Sequence, residues 1–448
     1  MDATVANHEQ LGALAVGLLS DLVRLNTVNP PGNEAPAQEL LAETLTDAGF
    51  ECELLGAEPG RPNLLARLRG ETDGPTLCLL GHTDTVTADP SDWSFDPWSG
   101  DVVKGEVRGR GAQDMKGQVA AEAAAAASLG RDGWRPERGE LLIAAVVDEE
   151  TGGHLGARWL CSEHPEKVRS DYVINEGGGN AFEVGGSRFY PLCVGEKGVF
   201  RFKVRTRGVA GHASIPGMGD NALLKLAPLL ERLALQPELE PTPEGVEFLG
   251  ALIAEDLSQS DPDGVEAGLD LLRASNPLVA TYLAEPMLGV TLTPTMAAAS
   301  RKANVIPAHA EILVDCRVPP GLDVDDVRER LEGILGADGL PEHEIDFTEH
   351  DVGNRSASQG PLADAVKKWV GAADPDAQVV PIVMPGFSDS NWFRRAFPEA
   401  TVYGFCPQRD MLLEETDPLV HGADERIKAT DVEFAARFFR DVPMEVLS

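Results

Sequence analysis

The sequence of 448 residues contains few cysteines, few basic residues and no long apolar run. Its six cysteines are scattered without a C-x-x-C pair, which argues against a disulfide framework or a cysteine–zinc site. No apolar run approaches the roughly 20 residues that a membrane helix needs. Residues 1–10 carry neither the basic segment nor the apolar core of a signal peptide. These absences predict a cytoplasmic protein with reduced thiols and no membrane partner.

Basic charge is scarce, since 38 lysines and arginines face 73 acidic residues and the formal net charge is −35. Such a chain is a poor partner for nucleic acid or for an anionic membrane surface. Only 10 of the 38 basic residues are lysines, and an acidic, lysine-poor surface suits high salt, where screening weakens self-repulsion. A halophilic source is therefore one hypothesis for the acidity. The apolar fraction of 43% still indicates a globular chain, and the length favours two domains.

Two groups of catalytic signatures are also missing. The sequence has no G-x-S-x-G motif, which disfavours a serine hydrolase built on a nucleophile elbow. It has no P-loop and no G-x-G-x-x-G motif after a predicted strand, which disfavours a nucleotide-dependent enzyme.

The first 180 residues alternate between predicted helices and strands. Three apolar runs are typical of buried parallel strands, and three other segments have helical periodicity. The strands are expected at 76–80, 141–147 and 171–174, and the helices at 11–25, 34–48 and 115–129. This alternation predicts an α/β fold, with a sheet covered by helices on both faces.

The middle of the chain follows a different order. Residues 197–350 are predicted to run β-α-β-β-α-β, which is typical of one sheet with helices on one face. We therefore expect a larger α/β domain formed by residues 1–196 and 351–448, with a smaller domain of residues 197–350 inserted into it. A stretch at 236–285 is rich in Pro, Glu and Asp and either extends the inserted domain or modifies a dimer contact.

Side chains that can bind metal follow the predicted strands, where ligand sites of open α/β sheets lie. The candidates are His82, Asp84, Asp114, Glu149, Glu150, Glu176 and, late in the chain, His421. Imidazoles and carboxylates without thiolates suit zinc, cobalt or manganese. The set is larger than one tetrahedral ion needs, which indicates two ions that share a carboxylate.

Each of these residues alone has a simpler explanation. A single His82 is most often a structural histidine, and Asp114 could be a helix N-cap. Two adjacent glutamates such as Glu149 and Glu150 ordinarily lie on the surface, where water solvates their charges. After the apolar run at 141–147, however, two adjacent glutamates need a cation or a shared proton.

Taken in order, the motifs resemble the signature of one zinc metallopeptidase family, metallopeptidase family 20. The family contains acetylornithine deacetylase, succinyl-diaminopimelate desuccinylase, aminoacylase, glutamate carboxypeptidase and carboxypeptidase S. The resemblance spans roughly residues 10–440 and lies in residues 81–86, Trp93, Pro97 and residues 109–117, 148–153, 211–216, 304–307, 315–317 and 421–422. It implies a zinc-exopeptidase-like catalytic domain with a mixed, mostly parallel sheet flanked by helices. It also implies that the inserted α+β domain is a lid and dimerisation domain.

The resemblance further implies a role for each candidate. The ligands of the two divalent ions would be His82, Asp114 and Glu176 for one ion and Asp114, Glu150 and His421 for the other. Zinc is the expected metal, with cobalt or manganese as alternatives. Glu149 would act as general base and Asp84 would orient His82. His212 of the lid would stabilise the oxyanion, in this family often from the partner subunit of a homodimer.

Three further residues are candidates for substrate binding. Asn304 and Arg317 could hold a substrate carboxylate, although a D-x-R motif on a strand is equally typical of a structural ion pair. Gly386 lies in a segment that resembles the family's glycine-rich substrate loop, where Phe387 departs from the usual small or polar residue.

The implied function is metal-dependent hydrolysis of an amide bond in N-acyl amino acids or short peptides that carry a free carboxylate. A dipeptidase or aminopeptidase of the same fold is the alternative. A non-catalytic interaction protein would be expected to have lost part of the ligand set, which is complete in this sequence.

Overall fold

The computed structural model describes residues 3–235 and 237–448 and contains two units with separate hydrophobic cores. The first unit comprises the residues up to Val194 together with Ser356–Ile382 and Phe387–Ser448. The second comprises Gly195–Arg355 and Val383–Gly386.

The elements are numbered in chain order. Up to Glu196 they are α1 (Ala3–Arg24), α2 (Ala35–Thr46), β1 (Glu51–Leu55), β2 (Asn63–Arg69), β3 (Thr76–His82), β4 (Val102–Val103), β5 (Glu106–Arg108), α3 (Lys116–Arg131), β6 (Glu140–Val146), α4 (Ala157–Glu163), α5 (Pro165–Val168), β7 (Tyr172–Asn175), β8 (Phe182–Val184) and β9 (Ser187–Glu196).

The following elements belong to the second unit. They are β10 (Gly198–Arg207), β11 (Gly211–His212), α6 (Ala222–Leu233), α7 (Pro243–Ile253), α8 (Pro262–Ser275), α9 (Pro277–Val279), α10 (Glu285–Met287), β12 (Thr291–Ala298), β13 (Val305–Ile306), β14 (His309–Val318), α11 (Val324–Leu335), β15 (His343–Asp351) and β16 (Asn354–Arg355).

The chain ends with a third series of elements. They are α12 (Pro361–Ala373), β17 (Ala377–Met384), α13 (Ser390–Ala396), β18 (Thr401–Gly404), α14 (Leu413–Thr416), β19 (Arg426–Lys428) and α15 (Ala429–Val446).

The large sheet of the first unit has the strand order β1-β2-β6-β3-β7-β18-β9, and β8 and β17 also pair with β9. Its central strands are parallel, because β3 pairs in parallel with both β6 and β7, and β7 with β18. The outer pairs β1–β2, β2–β6 and β9–β18 are antiparallel. The predicted mixed sheet is therefore confirmed. The antiparallel strands β1, β2, β8 and β9 were not predicted, because their apolar runs are short or interrupted by charge.

Helices cover both faces of this sheet. One face packs against α1, α3 and α15, and the other against α4 and α13. Helix α3 is buried along almost its whole length, because its run of alanines has no bulky side chain to keep neighbouring elements apart. None of the helices in the part of the chain that the structure describes is long and apolar enough to cross a membrane.

The second unit contains a four-stranded antiparallel sheet with the order β12-β14-β10-β15. Together with α6 and α11 this is the predicted β-α-β-β-α-β order. Helix α6 begins at Ala222, because Asn221 caps it by accepting from the amide of Leu223. The apolar sides of these elements form the core of the unit.

The opposite face of this sheet carries a charge ladder. Its members are Arg201, Lys203 and Arg205 on β10 and their acidic partners Glu311, Asp315, Asp346 and Glu349 on β14 and β15. The basic side chains are about one-third exposed.

The stretch at 236–285, for which we predicted no element, contains α7, α8 and α9, and residue 236 lies outside the described residues. Thr242 caps α7 and Asp261 caps α8, and a proline follows each cap directly. A capping residue followed by proline is a helix-start signal that the composition of the stretch concealed. These helices belong to the second unit.

Candidate active site

The parallel strands β3, β6 and β7 bring three sets of polar side chains to one edge of the sheet. The backbone of His82, the last residue of β3, pairs with that of Val146, the last residue of β6. Glu149 and Glu150 follow β6, and Glu176 follows β7 directly. Because parallel strands end at the same edge, these side chains converge as the sequence predicted.

Two loops add the remaining members of what we call the strand-end cluster. Its members are His82, Asp114, Glu149, Glu150, Glu176 and His421. Asp114 lies just before α3, and His421 lies between α14 and β19. The structure thus assembles all the predicted metal ligands, together with the predicted base, within the first unit.

Asp114 lies between the two imidazoles of the cluster. Its Oδ1 atom is 3.1 Å from His82 Nε2 and its Oδ2 atom is 3.0 Å from His421 Nε2. Glu150 Oε2 is 3.3 Å from His421 Nε2, and Glu176 Oε1 is 3.8 Å from His82 Nε2. Asp114 therefore contacts both imidazoles through different oxygens, with Glu176 near His82 and Glu150 near His421.

Glu149 lies on the His82 side of the cluster. Its carboxylate and the ligand atoms of His82 and Glu176 are all within 4.8 Å of one another. Glu150, the next residue, contacts His421, and its carboxylate also lies within 4.8 Å of the ligand atoms of His82 and Asp114. Both adjacent glutamates therefore lie close to His82, and Glu150 also contacts His421.

Asp84 is fully buried and contacts both His82 and the turn after β6. His82 Nδ1 is 3.0 Å from the backbone carbonyl oxygen of Asp84 and 3.6 Å from its carboxylate. The carboxylate oxygens of Asp84 accept hydrogen bonds from the amides of Glu149 and Glu150, each at 3.2 Å. Asp84 thus contacts the imidazole and also holds the turn that carries both glutamates.

Two residues that sequence reasoning missed support Asp114. Glu425 is fully buried and accepts hydrogen bonds from the amides of Gly111, Gln113 and Asp114 at 2.7–3.1 Å. Its Oε2 atom also accepts from Arg110 Nη1 at 2.6 Å. The sequence signal for this pair is weak, since Arg110 and Glu425 lie 315 positions apart.

Arg110 connects the two loops of the cluster. Its Nη2 atom donates to the carbonyl oxygen of His421 at 3.3 Å, while Nη1 contacts Glu425. The ring of Trp93 covers the guanidinium, with 5.1 Å between the ring centroid and Cζ. One buried ion pair therefore positions both Asp114 and His421.

The cluster holds more negative charge than its imidazoles can balance. Burial and then the charge of Glu176 raise the pKa of Glu149 well above its usual value. Burial and then the Asp114 charge raise the pKa of Glu176 to about 7. Hydrogen bonds to Asp114 and Glu150 raise the pKa of His421 to about 10. Four carboxylates held this close favour either bound protons or bound cations.

The donor set fits a pair of divalent ions. It offers two imidazole nitrogens and several carboxylate oxygens without a thiolate, which is the mixed environment that zinc, cobalt and manganese accept. Asp114 presents one oxygen to each side, as a carboxylate shared between two ions does. A single ion would leave part of this buried negative charge unbalanced.

The remaining predicted residues belong to the second unit. His212 and Asn304 are exposed neighbours, since β11 pairs with β13 and the amide of Ala213 donates to the carbonyl oxygen of Asn304 at 3.1 Å. The His212 ring contacts Ser214, with 2.7 Å between Nδ1 and Oγ.

Arg317 is largely occupied by contacts within its own unit. Its Nε atom donates to Asp315 Oδ1 at 2.7 Å, as in the structural ion pair considered above. Its Nη1 atom donates to the carbonyl oxygen of Pro385 at 3.1 Å, which places Arg317 beside the loop that contains Gly386. The structure therefore brings Arg317 and Gly386 together.

Comparison with known proteins gives a consistent result. Residues 78–445 match the peptidase family M20/M25/M40. The chain is 28% identical to a succinyl-diaminopimelate desuccinylase of Paracoccus denitrificans over 435 residues, which cover 95% of this chain and 96% of the relative. It is 34% identical to succinyl-diaminopimelate desuccinylase 2 of a Ruegeria species over 253 residues, which cover 55% of this chain and 60% of the relative.

The fold is similar to that of solved structures. The crystal structure of an M20 family metallo-carboxypeptidase from Sulfolobus solfataricus aligns with a TM-score of 0.68 at 18% sequence identity. The alignment covers 97% of this chain and 99% of that protein. Likeness at this identity concerns the fold alone.

Proposed function

The chain belongs to the peptidase family M20/M25/M40 and is a metal-dependent hydrolase, and from this premise we propose that it cleaves the amide bond of N-acyl amino acids. The relatives named above are desuccinylases, so N-succinyl amino acids with a free carboxylate are the first substrates to test. The observation that carries the proposal is the position of Asp114, which offers one carboxylate oxygen to each of two imidazoles.

We assign the ligands of two divalent ions within the strand-end cluster. His82, Asp114 and Glu176 would hold one ion, and Asp114, Glu150 and His421 the other. Zinc is the proposed metal, with cobalt or manganese as alternatives. Divalent ions in such a site polarise the substrate carbonyl and lower the pKa of water, which is the chemistry an amide hydrolase needs.

Glu149 is the proposed general base. Its carboxylate takes a proton from the attacking water and returns that proton to the leaving nitrogen. The raised pKa of Glu149 supports the role, because burial and the charge of Glu176 make this carboxylate bind a proton more readily than an ordinary glutamate does. Asp84 orients the His82 ring through its contact with Nδ1.

The second unit is proposed to supply the substrate contacts. The exposed His212 ring would donate to the oxyanion, and the neighbouring Asn304 would bind the substrate carboxylate. Arg317 would help Asn304 to bind the substrate carboxylate. It would also hold the loop that contains Gly386, and its contact with Pro385 supports this second role.

We further propose that residues 197–350 form a lid and homodimerisation domain inserted between catalytic segments 1–196 and 351–448. Two exposed features support a dimer. Strand β12 is at the edge of its sheet with Met296 exposed, and α6 exposes Leu223 and Leu224. His212 would then act within one chain or across the dimer. A cytoplasmic location and a halophilic source complete the proposal, the latter supported by the net charge of −35.

A hydrolysis panel tests the function. N-acetyl and N-succinyl amino acids and dipeptides are offered to metal-free protein supplied with zinc, cobalt or manganese, and amine release is measured. Release from blocked amines supports the deacylase, and release only from free-amine peptides supports the dipeptidase or aminopeptidase alternative. No release from any substrate would contradict the proposal.

A further inference from the structure

The turn that carries Glu149 and Glu150 begins at a residue with an unusual backbone. Asp148 is buried and has a φ of 72°, in the left-handed region that residues other than glycine seldom adopt. Such a conformation persists only where the surrounding contacts impose it. The contacts of the Asp148 side chain therefore hold the backbone in this conformation.

Asp148 contacts several parts of the first unit. Its Oδ1 atom accepts from Thr151 Oγ1 at 2.6 Å and from Asn29 Nδ2 at 3.1 Å, and it lies 3.3 Å from Arg61 Nη1. Its Oδ2 atom accepts from the amide of Leu155 at 3.1 Å. Two of these partners, Asn29 and Arg61, come from distant positions in the sequence.

Asn29 joins the two buried carboxylates that hold this turn. Its amide group donates to Asp84 Oδ2 at 2.8 Å and to Asp148 Oδ1 at 3.1 Å. Asp84 in turn accepts from the amides of Glu149 and Glu150. Asn29 is itself buried, and it places hydrogen-bond donors between two like charges that would otherwise repel each other.

Arg61 supports the same arrangement from the other side. Its guanidinium lies against Asp148, and Glu34, which is fully buried, fixes its orientation through Nε at 2.9 Å and a second contact at Nη2. The turn after Asn29 passes directly beneath the guanidinium. Gly32 has a φ of 83°, and a Cβ atom there would lie 2.3 Å from Arg61 Cζ.

We propose that Asn29, supported by Arg61, is a positioning residue that sets the directions of Glu149 and Glu150. It ties Asp84, which holds the amides of both glutamates, to Asp148, which begins their turn. Both glutamates are thereby held beside the ligand atoms of His82. The inference rests on the proposed roles of Glu149 and Glu150, and it gives a function to the Asn29-Pro30-Pro31-Gly32 segment.

The test compares Asn29→Ala with Asn33→Ala in full-length, zinc-loaded protein. Asn33 is the matched control, because it is exposed and four positions away in the same segment. Asn29→Ala is expected to lower kcat about 10- to 100-fold with little change in KM, a loss typical of residues that orient metal ligands. It should weaken zinc affinity, measured against a competing chelator, by a similar factor. Hydrogen exchange should accelerate at residues 148–153, and Asn33→Ala should change none of these readouts.

A second substitution covers the case in which Asn29→Ala does not fold. Arg61→Lys keeps the charge but loses the two-pronged contact with Glu34, and Arg69→Lys at an exposed pair is its control. We expect Arg61→Lys to change kcat, zinc affinity and hydrogen exchange at residues 148–153 in the same direction as Asn29→Ala, but by smaller factors.

The outcomes separate this inference from the proposed function. Reduced thermal stability with kcat, zinc affinity and exchange at 148–153 equal to the controls would overturn the positioning role. If the parent protein hydrolyses no substrate of the panel, the proposed function fails. The zinc and exchange measurements would still decide whether Asn29 positions the turn.

Discussion

Acidic residues are used in two different ways in the two units. In the strand-end cluster, four carboxylates share two imidazoles, of which His82 is buried and His421 is about half exposed. In the charge ladder of the second unit, Glu311 contacts both Lys203 and Arg205, and Asp315 contacts Arg201, on a partly exposed sheet face. Each acidic side chain of the ladder contacts a basic one, whereas the cluster has only two imidazoles for its four carboxylates.

The difference shows what burial adds to a common residue type. Water and salt already stabilise the charges of the ladder, so each pair contributes little. Buried carboxylates must instead be matched by hydrogen bonds, protons or cations, so the loss of one partner is costly. The following four predictions test this contrast, from the largest expected effect to the smallest.

Glu149→Gln should lower kcat by about 10²- to 10⁴-fold, because the amide cannot take up a proton. The zinc content should stay the same, since the proposed ligands remain in place. Steady-state kinetics and metal analysis measure the two quantities. Glu349→Gln in the charge ladder is the control and should turn over normally. Near-normal turnover by Glu149→Gln would remove Glu149 from its proposed role.

Glu425→Gln should lower the free energy of unfolding by about 3–5 kcal/mol, because it leaves the buried Arg110 guanidinium without a counter-charge. Urea denaturation measures the change. Glu311→Gln, the equivalent substitution in the ladder, should cost less than about 1 kcal/mol. Equal losses of unfolding free energy in the two variants would show that burial does not make the ion pair of Glu425 more important than that of Glu311.

Removal of metal should make stability depend on pH. His421 has its pKa raised from 6.5 to about 10, so its contribution is complete below pH 6.5 and is lost as the pH rises through about 10. The pKa of Glu176 is raised from 4.5 to about 7. Its contribution to stability is therefore complete below pH 4.5 and is lost as the pH rises through about 7. The Tm of chelated protein should therefore fall as the pH increases.

Added zinc should oppose this fall, because metal displaces protons from the same ligands. The difference in Tm between zinc-loaded and chelated protein should grow with pH. His421→Gln should lose the part of the dependence that lies between pH 6.5 and 10 in chelated protein. A difference that shrinks at high pH would contradict the assignment of the cluster as a metal site.

Lys203→Gln should change the free energy of unfolding by less than about 1 kcal/mol, because its contact with Glu311 is partly exposed. At about 1 M salt the screening length falls to about 3 Å, and the difference from the parent should disappear. Urea denaturation at low and high salt measures both effects. If Lys203→Gln lowers the free energy of unfolding by more than about 2 kcal/mol also at high salt, the ladder behaves like the buried cluster and the contrast fails.

Much of the fold could be read from local patterns. The apolar runs before His82 and Glu149 predicted parallel strands, because such runs are long enough to cross a sheet and are followed by loops. The β-α-β-β-α-β order of the second unit was predicted in the same way. The helices at 236–285 were missed, since the composition of the stretch concealed the caps at Thr242 and Asp261.

The sequence by itself determined which chemistry is available, because imidazoles and carboxylates at successive strand ends must meet at one edge of a parallel sheet. Only the tertiary structure decided how these groups are held. Asn29 and Asp148 are 119 positions apart, and Arg110 and Glu425 are 315 apart. Burial turns such residues into partners, since a charge removed from water is tolerated only where folding brings it a donor or a counter-charge.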